Sequence, residues 1–273
     1  MMLLVGFDSA WTPNNAGAIV GVLCFSDGTY RELGKPCSAD YVMAENIILR
    51  WQAENQPAKT VVMLDQPTIV TNANGQRPVE NIVGATISRR YGGLQPANTS
   101  RKGMFDRDAP IWRFLKQFGP LRSPLEPLAE TQVFETYPVL AIIALGWVLP
   151  DARRSGRLPK YNPGRKRTFS VTDWHYVCKK TSEACRDCNL LEIAEWIDII
   201  ALKTAPLKSD QDGLDSCVCL LVALHIAERR ACLMIGNDKS GYMVVPHNND
   251  LLAELHSRCL QTGRVPSEWL YPL

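Results

Sequence analysis

In the stretch "VGFDSAWTPNNAG" an apolar run is broken by Asp8, an acid set between Phe7 and the pair Ala10 and Trp11. Burying a carboxylate in such company is costly unless something compensates it. Further acids stand at comparable places. Asp65 closes the β-branched run of "KTVVMLDQP", Glu135 closes that of "TQVFETYP", and Asp212 and Asp215 lie three apart in "SDQDGLDS". The last spacing puts both on one face of a helix. A site built from these acids offers only oxygen ligands, the donor set of hard cations such as Mg²⁺ or Mn²⁺. Clustered without a cation, the carboxylates would repel and raise one another's pKa. Two such ions about 3.5–4 Å apart can activate a water and stabilise the leaving oxygen of a phosphodiester. The chemistry expected is phosphodiester hydrolysis, with Asp8, Asp65, Asp212 and Asp215 as metal ligands. Glu135 either joins them or holds an arginine of the basic segment 151–168.

Each acid also has a plainer role open to it. The helix macrodipole and capping favour Asp212 or Asp215 in a first turn, and Asp65 before Gln-Pro suits a turn. Asp8 is the hardest to explain that way. The counterpart of the acids is the run "RRSGRLPKYNPGRKR", in which Arg153, Arg154, Arg157, Lys160, Arg165, Lys166 and Arg167 occur with no acid among them. Such a run neutralises phosphate, and its Gly and Pro punctuation allows a loop over a cleft; a solvated loop is the alternative. Arg165, Lys166 and Arg167 are the expected substrate-binding residues there. Arg77 joins them, or else pairs with Glu80 in "NGQRPVE" to prop the rim. Arg101, Lys102 and Arg107 would extend the basic surface.

The elements that must position these groups follow from pattern. Residues 2–9 and 17–25 read as strands joined by the turn formers of "WTPNNAG", and "TYRELG" as a third antiparallel strand. Ser38 reads as the cap of a helix with Val42, Ile47, Ile48 and Trp51 on one face. "KTVVMLDQP" and "TQVFETYP" read as strands covered on both faces. Helices are predicted in "RPVENIVGATISRRYGG", over 138–147, as a pair over 170–204, from "SDQDGLDS" onward, and over 249–260; a hairpin turns across "NDKSG". An antiparallel meander followed by alternating helices and strands predicts one α/β domain over 1–273. That is the order of an RNase H-like fold: a mixed five-stranded core sheet flanked by helices, with a basic and helical insertion over 151–205 and a C-terminal β-hairpin.

At 273 residues, 46% apolar and 21% charged, the chain has enough core to fold without disulfides or structural metal. The net charge of +2 neither favours nor excludes nucleic acid. Nine scattered cysteines suit reduced thiols. Cys178, Cys185 and Cys188 in "CKKTSEACRDC" contain a CxxC, but no second half of a zinc site follows, and packed thiols are the plainer reading. The opening "MMLLVGFD" lacks a signal-peptide pattern, and no apolar run is long enough to span a bilayer. A cytoplasmic protein with no membrane partner is expected.

Taken together, "VGFDSAW", "VVMLDQP" with "NGQRPVE", "FETYP", "YNPGRKR" and "DGLDSCVCLLVAL" resemble, in their order, the domain-of-unknown-function 429 family. Its members are described as predicted nucleases of RNase H-like fold, distantly similar to Holliday-junction resolvases. The resemblance implies that Asp8 takes the place of the first-strand acid, Asp65 that of the fourth-strand acid, and Asp212 and Asp215 that of the last-helix pair. Glu135 with Tyr137 and Pro138 matches a family motif, and Arg165 its basic stretch; "DSCV" after Asp215 departs from the alanine expected there.

The leading expectation is a divalent-metal-dependent nuclease acting on DNA or RNA. The alternative is a non-catalytic nucleic-acid or nucleotide-binding protein on the same fold. An actin-like ATPase would need two such domains and a glycine where "GFDSAW" has none. A resolvase-like role would suit a symmetric homodimer.

Overall fold

The computed structural model describes residues 1–12, 15–153 and 155–273, so Arg154 of the basic run lies outside the described residues. Antiparallel strands come first: β1 (Met2–Asp8), β2 (Gly17–Cys24), β3 (Tyr30–Glu32) and β4 (Cys37–Ala39). β3 and β4 pair one after the other with the same edge of β2. α1 (Tyr41–Asn55) returns the chain to β5 (Lys59–Leu64), which runs parallel to β1. α2 (Pro78–Arg89) and α3 (Pro110–Gln117) precede β6 (Thr131–Glu135), parallel to β5. The order is β3-β2-β1-β5-β6, with β4 beside β2.

This mixed sheet has six strands where the sequence pattern predicts five. The added strand is Cys37–Ala39, so Ser38 belongs to the sheet and does not cap the helix. The cap is Asp40, whose carboxylate accepts the Met43 N–H at 2.8 Å. The buried face of α1 is Tyr41, Ala44, Ile48 and Trp51, and Val42 is exposed.

Strand alternation sorts the core into two layers. Leu3, Val5 and Phe7 of β1 pack with Val62, Leu64 and the helices α1 and α3. Leu4, Val61 and Met63 face the other layer. That layer holds α4 (Pro138–Ala144), the pair α5 (Val171–Asp187) and α6 (Leu191–Ala201), and α7 (Lys208–Ala227). α7 is buried from Asp210 through Leu224, which explains its nearly unbroken apolar sequence.

β7 (Cys232–Asn237) and β8 (Gly241–Pro246) form the hairpin predicted across "NDKSG". α8 (Asn249–Gln261) follows, and β9 (Leu270–Pro272) then pairs with β7, making a separate three-stranded sheet. Cys178 and Cys185 are buried thiols within α5. Among the described residues no helix is long and apolar enough to cross a membrane.

Candidate active site

The parallel register pairs Phe7 with Leu64, and the ladder continues one step further where the Asp65 N–H donates to the Phe7 carbonyl at 2.9 Å. Asp8 and Asp65 therefore stand abreast at the carboxyl ends of neighbouring strands. Asp8 shares the face of Gly6, and Gly6 faces α7.

α7 brings Lys208, Gln211, Asp212 and Asp215 to the same place, because positions three, four and seven apart share one helical face. None of these acids is used as a cap. That role falls to Asp210, which accepts the Leu207 N–H and the Lys203 ammonium, each at 2.7 Å. Asp8, Asp65, Asp212 and Asp215 together line one cleft of about 740 Å³.

Burial, then repulsion from Asp65 and Asp215, holds the Asp8 carboxyl well above the usual range, although Lys208 opposes this. Burial and Asp215 raise Asp65 in the same way. Asp215 is pushed up by burial to about 6, against the pull of Lys208 and hydrogen bonds from Tyr161 and Gln211. Burial disfavours the Lys208 ammonium, but Asp8, Asp212 and Asp215 outweigh it and raise its pKa. Asp8 Oδ2 is buried and, among the described residues, has no hydrogen-bond partner.

The donor set and this orphaned oxygen fit a hard cation chemically. The side chains are held apart, however, and among the described residues no three His, Cys, Asp or Glu groups stand where they could hold a metal ion. The reason is visible in their partners. Lys208 holds Asp212, while the Tyr161 hydroxyl, at 2.7 Å, and Gln211 hold Asp215.

Glu135 does not join the four aspartates. It pairs in register with Leu64, one residue short of Asp65, so strand alternation turns it away from the cleft. Arg77 meets it there through two nitrogens, at 2.6 and 2.8 Å, and binds Glu80 at 2.8 Å with its Nε. Arg77 is completely buried, which removes it from the substrate-binding surface expected of it. The arginine that Glu135 holds thus precedes α2 and does not come from the basic run.

Within that run, Arg157 pairs with the buried Asp173 of α5, an acid outside the run itself. Arg165 lines the cleft; Lys166 and Arg167 are exposed but do not. Sequence reasoning missed Tyr161 and Lys208, and two aromatic residues of the cleft, Trp11 and Tyr91. Lys208 was detectable in principle, since it stands four and seven residues before Asp212 and Asp215. Trp11 and Tyr91 have left-handed backbones, with φ of 61° and 59°. For a bulky residue this stores about 1–3 kcal/mol and tends to occur at functional sites. The Trp11 ring is fixed by its Nε1–H, which donates to the Asp65 carbonyl at 2.8 Å.

A mixed sheet whose adjacent parallel strands end at an acid-lined cleft defines an α/β protein with its candidate site at the carboxyl edge. The chain belongs to the family described as "Protein of unknown function (DUF429)", which matches residues 15–239. The matched span includes Asp65, Asp212 and Asp215 and begins after Asp8. No curated protein and no solved structure matches the chain.

Proposed function

We propose that the protein is a divalent-metal-dependent phosphodiesterase of RNase H-like architecture that acts on nucleic acid. The observation that carries this reading is the buried Asp8 Oδ2, without a hydrogen-bond partner among the described residues, in a cleft lined by aspartates from three separate parts of the fold. The strand order, an antiparallel meander continued by two parallel strands, supports the architecture.

Asp8, Asp65 and Asp215 would hold Mg²⁺ or Mn²⁺, with Asp212 completing the set once it leaves Lys208. The cation would supply Lewis acidity toward water and the scissile phosphate. Tyr161 and Gln211 orient Asp215, and Lys208 balances the negative charge of the cleft. Arg165 at the cleft wall would neutralise substrate phosphate.

The test is cleavage of labelled DNA and RNA oligonucleotides in Mg²⁺ or Mn²⁺. Activity should disappear in chelator and in Asp8→Asn or Asp215→Asn; cleavage that survives either substitution would refute the site. One observation favours a second reading, a non-catalytic nucleic-acid or nucleotide-binding protein. The Lys208–Asp212 pair already neutralises part of the acid cluster. That reading predicts oligonucleotide binding without carboxylate-dependent Mn²⁺ affinity.

A further inference from the structure

Tyr91 follows the end of α2, lines the acid-bearing cleft and is 48% exposed. An exposed tyrosine is ordinarily mobile, but this one is fixed from several directions. Its carbonyl accepts the Lys160 ammonium. The Arg153 guanidinium lies 3.8 Å from the centre of its ring, and Arg153 is itself tied to the Arg89 carbonyl at 2.6 Å. Arg153 does not line the acid cleft; it lines a neighbouring hollow with Arg89 and Arg90. The guanidinium thus backs the ring, the Lys160 ammonium of the cleft wall stands 6.0 Å from the ring centre, and nearly half of the residue stays open to the cleft side.

Arg165 lies nearby in the same wall. Its guanidinium nitrogens stand 3.5 Å from where a Cβ on Gly93 would be, so the side chain rests against the backbone two residues after Tyr91. The Gly93 carbonyl is in turn held by the Tyr137 hydroxyl at 2.8 Å. A flat ring and a fork of phosphate donors thus stand in the same wall of the cleft.

We propose that Tyr91 is a stacking platform for one unpaired nucleobase and that Arg165 takes the adjoining phosphate, so that the cleft receives a single strand. This rests on the nuclease reading of the same cleft and names its substrate class. A base inside a duplex is already stacked on both faces and gains nothing from the tyrosine. An unpaired base gains a partner, and one such stack changes affinity roughly 10- to 100-fold.

The experiment uses Asp8→Asn protein, which leaves bound strands intact, and follows fluorescence anisotropy of a short labelled oligonucleotide in Mg²⁺. The single strand should bind at least about tenfold more tightly than the same sequence as a duplex, and Tyr91→Ala should remove about tenfold or more of that affinity. Tyr91→Phe should keep it, and Tyr91→Leu, which retains bulk without a π-face, should not. Thermal melts of each variant separate lost stacking from lost folding. Equal affinity for single strand and duplex, or an unchanged Tyr91→Ala, would overturn the proposal. Wild-type cleavage is measured in parallel. Cleavage without dependence on Tyr91 overturns this inference alone, whereas Tyr91-dependent binding without any cleavage overturns the nuclease reading and sustains the platform.

Discussion

Gly6 of β1 and Ser216 of α7 meet backbone to backbone: a Cβ on Gly6 would stand 2.1 Å from the Ser216 carbonyl oxygen and 2.5 Å from the Leu220 nitrogen. Two residues along the same face of the strand is Asp8, and immediately before Ser216 is Asp215. The closeness of helix to strand is thus what places acids from distant parts of the chain in one cleft. Only glycine permits it, because the atoms opposite are main chain and cannot rotate aside.

Gly6→Ala should therefore displace α7 and destabilise the protein by about 1–3 kcal/mol or more, as overpacking does. Gly84→Ala in α2 is the control, since its nearest neighbour would be a side-chain atom at 3.9 Å. Alanine there should be neutral or stabilising by up to about 1 kcal/mol. Urea denaturation checks both, and equal effects at the two positions would contradict the close-packing argument.

Arg77 sits between Glu80 and Glu135 with all three side chains buried. Arg77→Met should cost about 3–5 kcal/mol by leaving two carboxylates without their cation. Arg77→Lys should rescue little, because one ammonium cannot reproduce the fork. The fraction that remains folded should bind oligonucleotide as the wild type does. A weakened dissociation constant with unchanged stability would instead return Arg77 to the substrate surface.

Asp8→Asn should stabilise the protein in chelator at pH 8, since a carboxyl pKa raised by burial and by Asp65 and Asp215 means that ionisation opposes folding. Carboxyls raised in the folded state favour folding at low pH, and that contribution is lost as pH rises. For Asp215 the loss spans the interval from its ordinary 3.8 to about 6. His225 has the opposite slope in part of this range, because burial lowers its pKa to about 4 and stability falls as it gains a proton. The difference between variant and wild type cancels the histidine. It should vanish at low pH, where both folded and unfolded carboxyls are protonated, and grow as pH rises above the ordinary carboxylate range; a variant less stable than wild type at pH 8 would contradict the repulsion.

Tyr161→Phe keeps the ring and removes the hydroxyl that donates to Asp215 at 2.7 Å. That bond favours the ionised carboxylate, so its loss should move the pKa of Asp215 upward. The acidic limb of a pH–activity profile should shift to higher pH, with stability changed by only about 1 kcal/mol. An unmoved limb would show that Tyr161 does not tune the acid.

Much of this site was legible because strands ended by acids are conspicuous: Asp8 and Asp65 close buried runs, and three-residue spacing joins Asp212 to Asp215. Glu135 closes its run in the same manner yet lies elsewhere, because its place depends on register against Leu64, which no local pattern reveals. The partner of Arg157 was hidden for a similar reason, since Asp173 comes from the following helix. Short pairings such as Cys37–Ala39 with β2, and Leu270–Pro272 with β7, are decided by neighbours in space and have little signal of their own. The left-handed Trp11 and Tyr91 gave no sign at all, because neither residue type favours that conformation.

The most direct test of the central claim is anomalous diffraction from crystals soaked in Mn²⁺. A peak among the carboxylates of Asp8, Asp65 and Asp215, with Asp212 turned from Lys208 and no peak in Asp8→Asn crystals, is the result predicted. Crystals soaked at saturating Mn²⁺ that show no peak in this cleft, with Lys208 still bound to Asp212, would contradict it.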